Sequence, residues 1–447
     1  KIKPLIDKIP NQIKYKLLYI RQHNDLIDKF ITNYNPVCLD IDNSVNRLDS
    51  IIFSILNNIN PIFENVTHTL IQGDTTSALA VALSSFHRKI PVIHLEAGLR
   101  SGDMNHPYPE EFNRIAISNI ASVHLCPTQE NLNNIKSNYS GDAYLVGNTV
   151  LDNLKNIQST LENKVLITLH RRENLKIIED WFVAIEGIAT IYKNLEFIFP
   201  MHPNSKIQKH KHIFKNVKVI DPLPYDKCIN MVAKCSILIT DSGGLQEESS
   251  FLQKKSIICR TTTERKEGLG TFSTLCKSPK DLYKIFKNTK IEIVNKPCPY
   301  GDGNSCDKIL NILKKEFDPI KITKENFAVI RRDTHIGKWA AESKRLDFDQ
   351  NQLPKYTKYF KQGDVLVNVG ANIGCYAKAF IDKASKVICF EPHEEAFTCL
   401  KYNLEKYANV ELYNTALSHE SHMYNVIDGH ANNIGASLIE PSIDSEK

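Results

Sequence analysis

The 447-residue chain has a net charge of +5, with 42% hydrophobic and 24% charged residues, the balance of an ordinary soluble globular protein. So small a charge on so long a chain excludes a protein that coats nucleic acid, and it leaves room for a local basic pocket for phosphates. At about 150 residues per domain the length corresponds to roughly three domains. The eleven cysteines are scattered and form no CxxC pair, which reads as reduced, mostly buried thiols of a cytoplasmic protein and gives no metal site. No apolar run is long enough to span a bilayer and no secretory signal is present, so neither a membrane nor a nucleic acid is expected as a partner. The chain opens on Lys1 instead of a methionine and reads as a piece of a longer one.

Residues 1–29 read as a helix, a strand (Lys16–Ile20) and a second helix, with Arg21-Gln22-His23 either at a ligand or capping the helix. Val37–Asp42 is another strand, and Val45–Asn58 has helical periodicity. Thr69–Ile71 then runs into Gly73-Asp74 and an Ala-rich helix. Asp74 suits the N-cap of that helix, but an acid at a strand's C-terminal end also faces the cleft of an open α/β sheet. Ile90–Leu95 is a strand ending at Glu96. A glycine-containing loop leads to Pro109 in the first turn of a helix, where Glu110 and Arg114, four apart, share a face. Asp74, Glu96 and Glu110 thus point at one cleft beside a guanidinium, an arrangement suited to proton transfer next to an anionic substrate. The plainer alternative is a helix cap, a solvated acid and a surface ion pair. Val123–Pro127 and Asp142–Val146 are further strands, and Gly147-Asn148-Thr149 closes this half as a doubly wound parallel sheet.

A second sheet follows. Lys164–Leu169 ends in His170-Arg171-Arg172-Glu173-Asn174, a loop suited to a diphosphate or to proton transfer. Leu195–Pro200 precedes Met201-His202-Pro203, and Val217–Ile220 leads to Asp221-Pro222-Leu223-Pro224-Tyr225. Ser236–Thr240 runs into Asp241-Ser242-Gly243-Gly244, where glycines let backbone approach a ligand and the N–H groups of a helix start can bind phosphate. Ser242 adds a hydroxyl, and Glu248 is placed to accept hydrogen bonds from a ribose. Ser256–Cys259 leads to the basic, hydroxyl-rich loop Arg260–Arg265, and Pro299–Gly303 is a tight turn before the helix Ser305–Lys315. Two nucleotide-binding-like sheets with a cleft and a closing helix describe a GT-B-like pair of Rossmann-like doubly wound domains.

The ordered motifs QGDTTSALA, HLEAGLRSGD, PEEFNR, GNTVLD, HRREN, ITDSGGLQEE, TTTER and PYGDG resemble the non-hydrolysing UDP-N-acetylglucosamine 2-epimerases over about residues 1–315. The resemblance implies interconversion of UDP-GlcNAc and UDP-ManNAc by elimination of UDP and its re-addition, without a cofactor or metal, for polysaccharide or glycan precursors. It makes Asp74, Glu96, Glu110, Arg114 and His170 the catalytic residues. It makes Lys1, Ser242, Gly243, Gly244, Glu248 and Arg265 the substrate-binding residues. A homodimer is the expected assembly. Residues 1–150 would be the N-terminal lobe and 151–315 the UDP-binding lobe. A hydrolysing epimerase, a retaining glycosyltransferase of the same fold and a UDP-sugar-binding pseudoenzyme are the alternatives. Some positions depart from the family pattern: a glycine-rich first strand with an arginine is expected before Lys1, Lys266-Glu267 stand where Pro-Glu is usual, and Leu223 and Cys228 replace usual residues near the uracil.

Residues 316–324 are charged and read as a linker. Asp364–Phe390 begins a new unit, a strand, a G-x-x-x-G turn, a helix and a second strand ending at Glu391, close to the spacing of a ribose-binding acid. With Arg331–Thr334 and Leu346–Gln350 upstream, residues 325–447 resemble a partial, Rossmann-like FkbM-family methyltransferase domain. That resemblance implies S-adenosylmethionine held by Gly370, Asn372, Gly374 and Glu391, with Asn368 where an aspartate is usual and the later strands beyond the end of the chain.

Overall fold

A computed structural model describes residues 2–11, 13–21, 32–41, 46–331, 333, 335–346, 358–417, 424–427 and 438–441. Lys1, Gln22, His23, Arg332, Thr334 and the stretch 347–350, all named above, lie outside the described residues. The chain divides into two units, Lys1–Leu310 and Asn311–Lys447.

In the first unit Leu18–Arg21 (β1) pairs in parallel with Val37–Asp40 (β2). Arg47–Asn58 (α1) follows. Thr69–Gln72 (β3), Val92–Leu95 (β4), Val123–Cys126 (β5) and Asp142–Leu145 (β6) form a four-stranded parallel sheet in chain order. Between these strands run Thr76–His87 (α2), Glu110–Ile120 (α3) and Gln129–Lys136 (α4). Ile71 and Val92 pack with Ile51 and Ile55 of α1, Ala78 and Val81 of α2, and Ile117 of α3. Cys126 packs with Leu132 and Ile135 of α4 in a separate cluster.

The second sheet of this unit holds Lys164–Thr168 (β7), Glu196–Pro200 (β8), Val217–Ile220 (β9), Ile237–Thr240 (β10), Lys255–Cys259 (β11) and Ser273–Cys276 (β12). Its helices are Ile178–Ile191 (α5), Tyr225–Lys234 (α6), Gly243–Phe251 (α7) and Pro279–Asn288 (α8), and Ser305–Phe317 (α9) follows. Successive strand residues face opposite ways. Val165 and Ile167 therefore join a core with Trp181, Phe182 and Ile185 of α5, while Leu166 between them joins Ile229, Val232 and Ala233 of α6. Helices on both faces explain why these strands read as continuous apolar runs. The strand order is β12-β11-β10-β7-β8-β9, so the chain winds outward in both directions from the β7–β10 pair. Loops leaving the C-terminal ends of β7 and β10 diverge, and such a switch point opens a crevice in an open sheet. The loop at His170 leaves β7, and Ser242–Gly244 leave β10.

In the second unit Ile320–Ile322 (β13) and Ala328–Ile330 (β14) pair antiparallel. The stretch 316–324, expected to be a linker, thus holds the end of α9 and a paired strand; of its charges, Glu316 is buried on α9 and Lys321 is exposed on β13. Ile336–Ser343 (α10) precedes Val365–Val369 (β15), Lys386–Phe390 (β16) and Val410–Tyr413 (β17), a parallel sheet connected by Cys375–Phe380 (α11) and Glu394–Leu404 (α12). Val387 and Cys389 of β16 pack against Ala396, Cys399 and Leu400 of α12, while Val365, Val367 and Val369 of β15 stay more than half exposed. Tyr424–Ile427 (β18) and Leu438–Pro441 (β19) pair antiparallel. No helix among the described residues is long and apolar enough to cross a membrane. All eleven cysteines are free thiols, and eight of them are buried.

Candidate active site in the first unit

Asp74 follows β3, but it does not cap α2. That place is taken by Thr75, whose hydroxyl accepts the Ala78 N–H. The Asp74 carboxylate instead accepts a hydrogen bond of 2.7 Å from Nε of Arg114. The same guanidinium donates through Nη1 to Oε2 of Glu111 at 3.0 Å. The plainer alternative, a Glu110–Arg114 surface pair, is replaced by a buried i,i+3 pair from the adjacent acid. Glu111 is 1% exposed and also accepts the N–H groups of Ser101 and Gly102, which ties the long loop after β4 to the start of α3. Burial pushes the Glu111 carboxyl up, but these N–H groups and Arg114 outweigh it and its pKa falls below the ordinary value. Burial likewise pulls Arg114 down, and Asp74, Glu264 and Glu111 more than offset it. Glu110, at the first position of α3, leaves Oε2 buried with no hydrogen-bond partner among the described residues.

Glu96 follows β4 with φ of +67°. Its Oε2 accepts from Nε2 of Gln72 at 2.6 Å. Its Oε1 lies 3.8 Å from Nη2 of Arg265, which comes from the loop after β11. Arg265 also pairs with Glu247 and Glu264; Glu247 accepts from the Asn148 amide as well, and Glu264 pairs with Arg260. Three carboxylates thus meet one buried guanidinium. Burial opposes the Arg265 charge, yet Glu247, Glu264 and Glu96 drive its pKa upward. Burial opposes the Glu264 charge too, and Arg265 and Arg260 hold that carboxyl well below its ordinary value. Gln72, Glu96, Gly147, Asn148 and Thr149 line a small cleft beside this cluster.

Behind Asp74, His94 of β4 is 1% exposed. Its Nε2 lies 2.8 Å from the Gly73 carbonyl, so the ring carries its proton there and fixes the turn that bears Asp74. Burial pushes the His94 pKa down to about 4, so the ring is neutral at physiological pH.

At the switch point, the Asp241 carboxylate is fully buried and accepts the N–H groups of His170 and Arg171 and the Asn174 amide. It pins the β7 loop to the end of β10. The His170 imidazole is less buried, with Nδ1 3.7 Å from Asp241 and its ring stacked on His202 at 5.6 Å. Ser242 caps α7 by accepting the Leu245 N–H. Gly243 lies so close to Arg265 that an added Cβ would stand 2.4 Å from Nη1, whereas one at Gly244 would meet nothing nearer than 3.9 Å. Glu248, one turn further along α7, is 4% exposed.

The motifs at 147–149 and 299–303 dock onto each other. The Asn148 N–H donates to the Tyr300 carbonyl at 2.8 Å, and a Cβ on Gly147 would lie 2.6 Å from Ser305 Oγ and 3.1 Å from Gly301 Cα. Asp152 accepts the N–H groups of Ser305 and Cys306 at the start of α9. The buried Tyr300 hydroxyl donates to the Arg265 carbonyl at 3.0 Å, so these turns support the loop that carries Arg265.

Asp74, Arg114, Glu96 and Arg265 are thus linked directly or through shared partners, while Ser242, Gly243, Gly244 and His170 sit together at the switch point. Glu111, Glu247 and Asn148 belong to the first group and Asp241 to the switch point, and all four went unassigned from sequence. The doubled acids Glu110-Glu111 and Glu247-Glu248 are the signal for two of them, since adjacent helix positions face about 100° apart and both can have work. In the second unit, Gly370, Asn372 and Gly374 form a turn of positive φ. Both oxygens of Glu391 accept backbone hydrogen bonds, from Asn372 at 2.7 Å and His393 at 2.9 Å. Among the described residues no group of three or more His, Cys, Asp or Glu side chains is disposed to hold a metal ion.

Residues 8–314 match the family model described as UDP-N-acetylglucosamine 2-epimerase. The chain belongs to that family. It is 32% identical over 365 residues to the UDP-N-acetylglucosamine 2-epimerase of Campylobacter jejuni, covering 70% of this chain and 94% of the relative. It is 30% identical over 358 residues to that of Escherichia coli K12, covering 70% and 95%. Among solved structures, the Neisseria meningitidis UDP-GlcNAc 2-epimerase bound to UDP-GlcNAc superposes with a TM-score of 0.62 at 30% identity, covering 70% of this chain and 96% of that one. The Methanocaldococcus jannaschii UDP-GlcNAc 2-epimerase in complex with UDP-GlcNAc and UDP gives 0.59 at 28%, with coverage of 70% and 96%. The parallel sheets of the first unit share the GT-B-like α/β fold of these epimerases. The matched residues hold Asp74, Arg114, Glu96, Arg265 and the switch point, and they end before β13.

Proposed function

We propose that the first unit interconverts UDP-GlcNAc and UDP-ManNAc by eliminating UDP and adding it back. In the first half, a carboxylate removes the C2 proton as the C1–O bond breaks. UDP leaves with the bonding electrons, and a 2-acetamidoglucal remains. In the second half UDP returns to C1 and an acid delivers a proton to C2 on the opposite face. The overall exchange conserves atoms and electrons and calls for no hydride carrier. Asp74, Glu96 and Glu110 are the proton-transfer groups of this reading, with Arg114 orienting Asp74. His170 and the Ser242–Gly244 turn take the diphosphate, Glu248 the ribose, and Arg265 the developing charge on UDP.

The contact between Glu96, at a strand end of the first sheet, and Arg265, at a strand end of the second, carries the proposal. It sets an acid that can exchange protons beside a cation that can receive a leaving phosphate. Incubation with UDP-GlcNAc in deuterated water, followed by NMR, tests it. Both UDP-sugars should appear with deuterium at C2. Free ManNAc accumulating with stoichiometric UDP would instead show hydrolysis, and binding without turnover would show a pseudoenzyme.

For the second unit we ascribe no methyl transfer. Both carboxylate oxygens of Glu391, the residue read as a ribose ligand, are engaged by the backbone that shapes its own turn.

A further inference from the structure

Tyr225 opens α6 directly after Pro222-Leu223-Pro224, and its ring is 48% exposed. Ile229, Val232 and Ala233, at helical spacing from it, are buried against the sheet, so the stripe that docks α6 also turns Tyr225 toward α7. Its hydroxyl donates to Oε1 of the buried Glu248 at 2.7 Å. Burial, then the Glu248 charge, raises the phenol's pKa, so it remains a donor throughout the working range. The neighbouring Cys228 thiol is pushed up to about 11 by burial and Glu248, so no thiolate competes for that proton.

We propose that Tyr225 is a positioning residue that holds the Glu248 carboxylate for the ribose hydroxyls and so sets the preference of the site for a ribonucleotide. This rests on the nucleotide reading of the α7 turn. A buried carboxylate that swings away leaves two sugar hydroxyls without an acceptor, whereas the Tyr225 hydroxyl on Oε1 holds the carboxylate in one orientation. Removing the phenolic hydroxyl leaves the ring and its packing in place, so the effect should fall on the ribose and spare the diphosphate.

Calorimetric titration of the full chain with UDP and with 2′,3′-dideoxy-UDP tests the assignment. Wild type should prefer UDP by roughly tenfold or more, the scale of hydrogen bonds to a charged group. In Tyr225→Phe the preference should shrink to about threefold or less, with dideoxy-UDP affinity changed by less than about twofold. Glu248→Gln should narrow the same ratio without touching Tyr225. A ratio left at the wild-type value in Tyr225→Phe, or an equal loss for both ligands, overturns the proposal. Failure of wild type to bind UDP at all would sink the nucleotide reading, and this assignment with it.

Discussion

Nε of Arg114 reaches Oδ2 of Asp74 across 40 positions of chain, at 2.7 Å. This bond joins the end of β3 to the middle of α3, and Glu111 shares the same guanidinium. Arg114→Lys keeps the charge but cannot serve two carboxylates with a fixed fork. Turnover of UDP-GlcNAc should fall by about 10- to 100-fold on loss of Asp74 orientation. Glu111→Ala breaks the more buried pair, and unfolding in denaturant should show a loss of about 3–5 kcal/mol. Wild-type stability in Glu111→Ala would mean that the pair carries no net energy.

Asp74→Asn, Glu96→Gln and Glu110→Gln keep side-chain size and remove a base. Each should reduce turnover by about 100- to 10,000-fold, with UDP affinity by calorimetry little changed in Asp74→Asn and Glu110→Gln. Because Glu96 also neutralises Arg265, Glu96→Gln should be the variant that binds UDP more tightly. Wild-type rates in all three would remove these acids from the chemistry.

Gly243 and Gly244 are neighbours with opposite tolerance. Gly243→Ala drives a methyl against Arg265, and overpacking of this kind costs about 1–3 kcal/mol, to be read as weaker UDP binding. Gly244→Ala meets only Ser242 Oγ, at an ordinary contact distance of 3.9 Å, and should bind UDP within about threefold of wild type. Equal losses at both positions would show that backbone conformation, and not contact with Arg265, sets the requirement.

His94 makes stability depend on pH. Its folded pKa of about 4 lies below the ordinary 6.5, so the unfolded chain binds the proton more tightly. The contribution is fully present above pH 6.5 and is lost as pH falls toward 4, by roughly 3 kcal/mol over that span at 1.36 kcal/mol per unit. Denaturant unfolding of wild type and His94→Gln between pH 7 and 4 should show the shallower decline in the variant. Parallel curves would mean that the ring titrates normally.

In the second unit, Glu391→Gln removes one of two backbone acceptances. Limited proteolysis should then cut within Asn311–Lys447 sooner, while epimerisation by the first unit is unchanged. Titration of wild type with S-adenosylmethionine should give no saturable heat. Saturable binding that Glu391→Gln abolishes would restore the methyltransferase reading.

The strands were legible in the sequence wherever both faces are covered, because burial on two sides leaves a continuous apolar run. Ser236–Thr240 falls within one residue of Ile237–Thr240, a strand buried at every position. β12 was missed because Ser273 and Thr274 interrupt the pattern; the strand is held instead by pairing with β11, with the Ser256 and Ser273 hydroxyls 2.9 Å apart. In the candidate site, acids at strand ends stand out because a strand end has a fixed direction. Acids on helices do not, since the phase of α3 decides between Glu110 and Glu111 and only packing sets that phase. The same limit placed the α2 cap one residue early, because Asp74 and Thr75 are both competent caps and the choice depends on Arg114, far away in the chain.

A Cβ on Gly147 or on Gly301 would stand 3.1 Å from the other's Cα, so each backbone crowds the other's site. The two turns therefore behave as one mechanical joint although 154 positions separate them (301 − 147). A side chain added at either glycine pushes on the opposite turn, so its effect passes through Tyr300 to the loop that carries Arg265.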